Sequence, residues 1–136
     1  MTFSELIIEV TRYSKRADLL ADGIIDSSIN EAQRWLADNF PGPDVDDAWL
    51  QAVPSDLVNG TDTSYFTTNH ASLLRDVACW WIELHWGSAE LAEARFVPVK
   101  VYFEAINRRQ TIERMRTDAQ QTAATTPRYR QPEVEG

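Results

Sequence analysis

The sequence predicts an all-α protein, a small helical bundle of about four to five helices followed by an extended C-terminal arm. Three observations predict it. Apolar residues recur at spacings of three and four over most of residues 2–116, capping residues and Pro–Gly clusters separate these runs, and the spacing stops after Arg116. A chain of 136 residues favours one domain. We therefore expect a helical domain over residues 1–116 and an extended, disordered arm over residues 117–136.

The first two helices are predicted from their caps and their apolar faces. Thr2 and Glu5 have the spacing of a capping box, and the helix they open is expected to end near Lys15. A second helix is expected to be capped by Asp22 and to stop at the Pro-Gly-Pro cluster, residues 41–43. Their predicted core-facing residues are Phe3, Leu6, Ile7, Val10 and Tyr13 on the first helix, and Ile25, Ile29, Ala32, Leu36 and Phe40 on the second.

The segment between the second and third long helices carries weaker signals. Residues 44–52 are expected to add a helical turn or two, with Trp49 and Val53 as anchors. Asn59 and Gly60 favour a tight turn with positive φ. The flanking residues are too few and too polar to predict a sheet.

Residues 70–87, HASLLRDVACWWIELHWG, form the most apolar predicted helix. Its apolar arc spans roughly 200°, against about 100° for an ordinary surface helix. Such a helix must be covered on nearly all sides, so some cover is expected from another chain. The predicted core side comprises Leu73, Leu74, Val77, Ala78, Trp80, Trp81, Ile82, Leu84 and His85. The predicted water-facing side comprises Ser72, Arg75, Asp76, Cys79 and Glu83, with Trp86 at its edge.

The last predicted helices begin at Ser88 and end near Arg116, with Pro98 either kinking the helix or starting a new one. Residues 117–136 contain too few apolar residues to offset their ordering entropy. This arm is either a frayed tail without function or a segment that orders on a partner. In the second case Tyr129, between Arg128 and Arg130, is the expected anchor, because Tyr and Arg are enriched at binding hot spots.

Charge divides the chain unevenly. Residues 1–94 carry five basic and 16 acidic side chains, a net charge of −11, whereas residues 95–136 carry eight basic and five acidic ones, a net charge of +3. The acidic part repels nucleic acid phosphate. The basic part suits an acidic partner or the acidic part of a neighbouring copy. Alternatively, its arginines (Arg108, Arg109, Arg114 and Arg116) simply form a solvated helix face.

Other sequence features argue against a membrane protein, a secreted protein and an enzyme. There is no apolar stretch of membrane-spanning length, no signal-peptide pattern at the N-terminus, and a single cysteine, Cys79, which suggests a reducing compartment. His70 and His85 are about 22 Å apart on one helix and cannot share a metal. We expect no catalytic, metal or cofactor site. The acidic residues Asp44, Asp46 and Asp47 are interpreted as charges at a helix N-terminus.

Several short motifs occur together in a recognisable order. After the opening helix TFSELIIEV come Asp22-Gly23, a helix with INEAQRWL (residues 29–36), a turn VPSDL (residues 53–57) and an Asn69-x-x-x-Leu73-Leu74 entry into the closing helices, which run on to Tyr102, Ala105 and Arg108. Over residues 2–116 this resembles the head-to-tail adaptor (connector) proteins of tailed bacteriophages. One departure is clear, because the β-rich insertion that many relatives carry after the turn is reduced here to residues 58–65.

The resemblance implies a structural virion protein that is made in the host cytoplasm and lies at the head–tail interface. Copies of it, usually twelve, would form a ring that joins the portal protein to the tail or nozzle protein. Genomic DNA would pass through the ring without specific binding. The portal-binding residues expected on the arm are Arg128, Tyr129, Arg130 and Val134. The residues expected between neighbouring copies are Trp80, Trp86, Arg108 and Arg109.

Two other classes of protein remain open from the sequence. A cytoplasmic phage assembly factor or chaperone would share the apolar surface and the arm. A small helical regulatory or nucleic-acid-binding protein would place residues 24–40 as a recognition helix, but that helix has one cation, Arg34, and several acidic residues. A hydrolase using Asp44, Asp46 or Asp47 is a third, weaker alternative.

Overall fold

The computed structural model describes residues 1–41 and 56–125, and this part of the chain is a bundle of α-helices without strands. A short 3₁₀ turn at Ala17–Leu19 connects the first two helices. The predicted all-α class is confirmed. The helices are α1 (Phe3–Ser14), α2 (Ile24–Asn39), α3 (Tyr65–Asn69), α4 (Ala71–Trp86) and α5 (Ala89–Thr125).

Helix α1 has the predicted capping box. The Thr2 hydroxyl accepts a hydrogen bond from the Glu5 amide at 3.3 Å, and the Glu5 carboxylate accepts one from the Thr2 amide at 3.1 Å. The helix ends where Lys15 takes a left-handed φ of 58°. Tyr13, which we expected in the core, is exposed, and the buried position is its neighbour Ser14. The reason is that Ser14 continues the core-facing spacing from Val10, whereas Tyr13 lies at its edge under the Arg75 guanidinium, 4.0 Å from the ring centre.

Helix α2 has the predicted buried face but a different start. All five predicted core residues, Ile25 to Phe40, are buried. The helix begins at Ile24 rather than at a cap by Asp22, because Gly23 takes the left-handed conformation with φ of 72° immediately before it. Glycine adopts this conformation without the penalty that a Cβ imposes.

The loop after residue 56 turns at Asn59, as predicted, but Gly60 does not have positive φ. The Asp62 carboxylate closes the turn by accepting hydrogen bonds from the Val58 and Asn59 amides at 2.9 and 2.8 Å, so no left-handed residue is needed. The Gly60 carbonyl in turn accepts a hydrogen bond from the Ser4 amide at 3.0 Å. A Cβ at position 60 would collide with the Ser4 hydroxyl, so the glycine permits this close contact.

Helix α4 is central and packs against all four other helices. Our prediction of its core side was partly wrong: Trp81 is half-buried, while Leu84 and His85 are exposed. Cys79 and Glu83, expected to face water, are buried. The reason is that α1, α2 and α5 pack on several sides of the helix, so burial follows these neighbours rather than the centre of the hydrophobic stripe. Most of its cover therefore comes from the same chain, and its exposed apolar residues lie in the last turn. The residues buried on α4 are Leu73, Leu74, Val77, Ala78, Cys79, Ile82 and Glu83.

Helix α5 is a single helix of 37 residues, about 55 Å long at 1.5 Å per residue. The Ser88 hydroxyl accepts a hydrogen bond from the Leu91 amide at 3.1 Å, as the predicted cap requires. Pro98 lies inside the helix and does not divide it. The helix continues past Arg116 to Thr125, so residues 117–125 are helical rather than extended. Adding residues to an existing helix costs much less than nucleating one, which explains how a polar, alanine-containing segment continues it.

Candidate interaction surfaces

An aromatic cluster joins α2, α4 and α5. The Trp35 ring lies 5.2 Å from the ring of Trp80, 5.7 Å from that of Phe96 and 5.9 Å from that of Phe103, between ring centres. Trp80 and Phe96 are 4.9 Å apart. Trp80, which we expected between copies, thus makes extensive contacts within its own chain. The Trp80 side chain is half-buried, and the exposed part of its ring can contact another molecule.

Beside this cluster, a groove of about 630 Å³ lies between the end of α4 and the start of α5. Its floor is largely apolar, and Glu93 and Lys100 supply charge. The groove lies next to the aromatic cluster because both share Trp80 and Phe96. The lining residues are Trp80, Leu84, Ala89, Ala92, Glu93, Phe96, Val97 and Lys100.

Helix α5 has a buried inner face and an apolar outer face. Ala92 and Val99 on the inner face are buried, and Tyr102, Phe103 and Ile106 are partly buried in the same direction. Five large apolar residues of α5 are exposed, and all of them except Leu91 lie on the outer side. Beyond Gln110, whose side chain donates to the Pro41 carbonyl at 2.9 Å, every residue from 111 to 122 is exposed. The end of α5 therefore lacks the packing that covers its first half. The exposed apolar residues are Leu91, Val97, Val101, Ile112 and Met115.

The other residues expected between copies are exposed but lie on different elements. Trp86 ends α4 with 51% of its surface exposed, and its carbonyl accepts a hydrogen bond from Arg16 at 3.0 Å. Arg108 and Arg109 are exposed on α5. The structure does not gather the four residues into one patch, since Trp80 and Trp86 lie about 120° apart around α4 and the two arginines lie on α5. The expected portal-binding residues, Arg128, Tyr129, Arg130 and Val134, and the acidic residues Asp44, Asp46 and Asp47 lie outside the described residues.

A histidine between two tyrosines ties the start of α4 to α5, an arrangement that the sequence analysis did not predict. His70 Nδ1 is 2.6 Å from the Tyr102 hydroxyl, and its Nε2 is 3.5 Å from the Tyr65 hydroxyl. The Phe40 ring lies 4.7 Å from the imidazole. Burial, with a smaller contribution from the Arg109 charge, lowers the pKa of His70 below its ordinary value of 6.5. The folded protein therefore favours the neutral imidazole.

We expect this histidine to make stability depend on pH. An unfolded chain takes up a proton at His70 as the pH falls below 6.5, whereas the folded chain does so only at lower pH, so folding loses free energy over that window. Urea unfolding at pH 7.5 and pH 5.5 should show a smaller loss of stability for His70→Gln than for the wild type. Equal losses for the two proteins would contradict the assignment.

A second polar arrangement holds the 56–62 loop on α2. The Asn30 side chain donates to the Leu57 carbonyl at 3.1 Å and accepts from the Leu57 amide at 2.8 Å. Gln33 donates to Asn30 at 3.2 Å and accepts from the Ser64 hydroxyl at 2.6 Å. Asn30 and Gln33 are both buried. The network therefore fixes the loop against the helix, and it is structural rather than a surface for a partner.

Two further features bear on chemistry. Burial raises the pKa of the Cys79 thiol to about 12, so the thiol stays protonated and is a poor nucleophile. Over residues 1–41 and 56–125 the structure forms no group of three histidine, cysteine or carboxylate side chains that could hold a metal ion.

Within the same ranges, none of the helices combines the length and the apolar character needed to cross a bilayer.

The exposed outer face of α5 and the groove beside Trp80 are thus the surfaces of the described part that are best suited to contact other molecules. Comparison with family models, with curated proteins and with solved structures found no match to this chain.

Proposed function

We propose that the protein is a structural subunit of a tailed-phage particle, a head-to-tail adaptor that forms a ring joining the portal to the tail or nozzle. The observation that carries the proposal is helix α5, about 55 Å long, which has an exposed apolar outer face and whose residues 111–122 are all exposed. Contiguous apolar surface of this kind marks sites of protein–protein interaction. The sequence motifs of residues 2–108 supply the particular class of assembly.

The charge distribution supports contact between neighbouring copies. The acidic part of the chain, residues 1–94, includes α1 to α4 and the start of α5, and the rest of α5 carries exposed basic side chains such as Arg108, Arg109 and Arg116. When the basic surface of one copy faces the acidic surface of the next, a head-to-tail contact results, and such contacts form a ring when the rotation from copy to copy closes. An acidic wall around the channel would repel DNA and let the genome pass without specific binding.

The arm is proposed to dock on the portal. Residues 126–136 of the arm follow Thr125, where α5 ends, and eleven residues reach about 36 Å when extended. Arg128, Tyr129 and Arg130 form the most concentrated set of hot-spot residue types in this segment. A portal surface that accepts them would be acidic or would present aromatic rings.

The proposal is tested by light scattering after size exclusion, with this protein alone and after mixing with the portal protein encoded in the same genome. We expect a monomer or small oligomer alone and many copies, about twelve in the family, co-eluting with the portal ring. No co-elution at concentrations well above micromolar would contradict the proposal and favour a cytoplasmic assembly factor. Absence of the protein from purified virions would favour the same alternative.

Two variants then test the arm. Deleting residues 126–136, or replacing Arg128, Tyr129 and Arg130 with alanine in the full chain, should abolish co-elution with the portal because both remove the proposed anchor. Circular dichroism should show unchanged helical content, since the described helices end before the deletion. If either variant docks as well as the full chain, the arm does not hold the portal.

A further inference from the structure

We propose that the outer face of α5 binds the same face of α5 in a second copy of this chain, with the two helices parallel and in register. This inference does not depend on the proposed function, because it rests on the sequence and exposure of α5 alone; the pair is a two-fold contact and differs from the head-to-tail contact of the ring. Three observations on the described residues carry it: the spacing of the exposed apolar residues, the exposure of the helix end, and the charges that flank the apolar residues.

The outer face carries a heptad pattern, which we call the seam. Its members alternate at spacings of four and three, which are the a and d positions of a coiled coil. On a straight helix they fall within an arc of about 80°. Val101 is 58% exposed, Ile112 51% and Met115 65%. The same register continues to Ala94 and Pro98 on one side and to Ala119 on the other, all exposed. The seam comprises Val101, Ala105, Arg108, Ile112 and Met115.

The seam points away from the body of the molecule. The opposite side of α5 packs on the bundle through Val99, which is buried, and through Tyr102, Phe103 and Ile106. These inner residues are centred about 150° around the helix from the seam. Two copies can therefore bring their seams together while their bundles lie on the outer sides of the pair.

The end of α5 lacks cover that a second helix would provide. All residues from 111 to 122 are exposed, although the helix continues to Thr125. A helical segment of this length is marginal in water by itself, since most helical stability in proteins comes from packing of an apolar face. Ile112 and Met115 are the apolar residues placed to supply that packing.

The charged residues beside the seam select a second copy in the parallel orientation. Arg109 and Arg116 occupy two of the three e positions along the seam, and Glu104 and Asp118 occupy two of the three g positions. In a parallel pair each g residue faces the e residue five positions later in the other helix, which places Glu104 against Arg109 of the second copy. In an antiparallel pair e faces e and g faces g, which would oppose like charges. Only the parallel pair therefore forms the two Glu104–Arg109 ion pairs, and it also brings the two Arg108 side chains together at a d position.

Sedimentation of the full chain over a range of concentrations tests the pairing. We expect a monomer–dimer equilibrium whose dissociation constant rises about 100-fold or more in Ile112→Asp, because an apolar contact is lost and a charge is added on both helices. The matched control is Ile8→Asp, which changes an isoleucine that is 57% exposed on α1, away from the seam, and should leave the constant unchanged. Circular dichroism verifies that both variants keep the wild-type helical content. A chain that stays monomeric at millimolar concentration, or a dimer that tolerates Ile112→Asp, would overturn the proposal.

Two further variants test the register and the direction. Glu104→Arg and Arg109→Glu should each weaken the dimer, and the double variant should restore it, because the pair is re-formed with its charges exchanged. Ala119→Cys should form a disulfide between copies under mild oxidation, since parallel helices bring both positions 119 together; the native Cys79 is buried and does not compete. A double variant that dimerises no better than the single ones, or no disulfide at position 119, would rule out the parallel pair.

Discussion

Replacing Asn30 with alanine is expected to lower the free energy of unfolding by about 2–4 kcal/mol, since two buried backbone groups lose their partners at once. The Asn30 side chain satisfies both the amide and the carbonyl of Leu57, and Leu57 is itself buried. Each buried donor or acceptor left without a partner costs about 1–3 kcal/mol. Gln33 loses its acceptor in the same substitution. Urea unfolding followed by circular dichroism measures the difference.

The matched control for this prediction is Asn39→Ala, on the same helix. Asn39 is exposed, and its side chain donates to the Trp35 carbonyl at 2.8 Å near the end of α2. Water can replace that hydrogen bond, so we expect a change within about 0.5 kcal/mol. If the two variants lose equal stability, the Asn30 network does not hold the loop in place.

The buried asparagine also shows what the sequence could and could not predict. The apolar face of α2 was predicted correctly because its spacing fixes which residues point inwards. Asn30 follows the buried Ile29 and points about 100° away from it around the helix, so the sequence pattern places it at the edge of the apolar face. Its burial depends on Leu57, which is 27 residues away, and no local signal reveals that contact.

Helix α4 illustrates a different limit. Apolar spacing and Gly87 predicted that this helix exists and where it ends. Hydrophobicity alone, however, assigned Trp81 and Leu84 to its core side, where the structure has Trp81 half-buried and Leu84 exposed. Helices of the same chain surround α4, so Cys79 and Glu83 are buried although their side chains are less apolar than Leu84. Tertiary packing overrides the residue-level preference where a helix has several neighbours.

Helix α5 shows why surfaces for partners are hard to predict from one sequence. Apolar residues occur on both its inner and its outer faces, so the amphipathic pattern that normally identifies the core side is blurred. The structure separates them, because Val99 is buried and Val101 is exposed. Only then do Val101, Ile112 and Met115 stand out as exposed apolar residues on one side of the helix.

Replacing Trp80 with alanine is expected to destabilise the single chain by about 2–3 kcal/mol. Removing a fully buried large aromatic side chain costs about 3–5 kcal/mol, and the half-buried position of Trp80 reduces that value. The loss comes from its contacts with Trp35 and Phe96, at 5.2 and 4.9 Å between ring centres, which join three helices. The sequence analysis placed Trp80 between copies, where the main effect of the substitution would be on assembly. Urea unfolding of the variant, with sedimentation at the same concentrations, separates the two effects.

Trp86→Ala is the comparison that decides between them, because it removes the same side chain from the same helix at a position that is 51% exposed. Its expected effect on unfolding is within about 0.5 kcal/mol, as for most surface substitutions. A clear loss of stability for Trp80→Ala and little for Trp86→Ala would assign Trp80 to the packing of α2, α4 and α5. Unchanged stability with weaker association in Trp80→Ala would instead show that the exposed part of its ring carries an intermolecular contact. In that case the adjoining groove, which shares Trp80 and Phe96, becomes the surface on which to look for the partner.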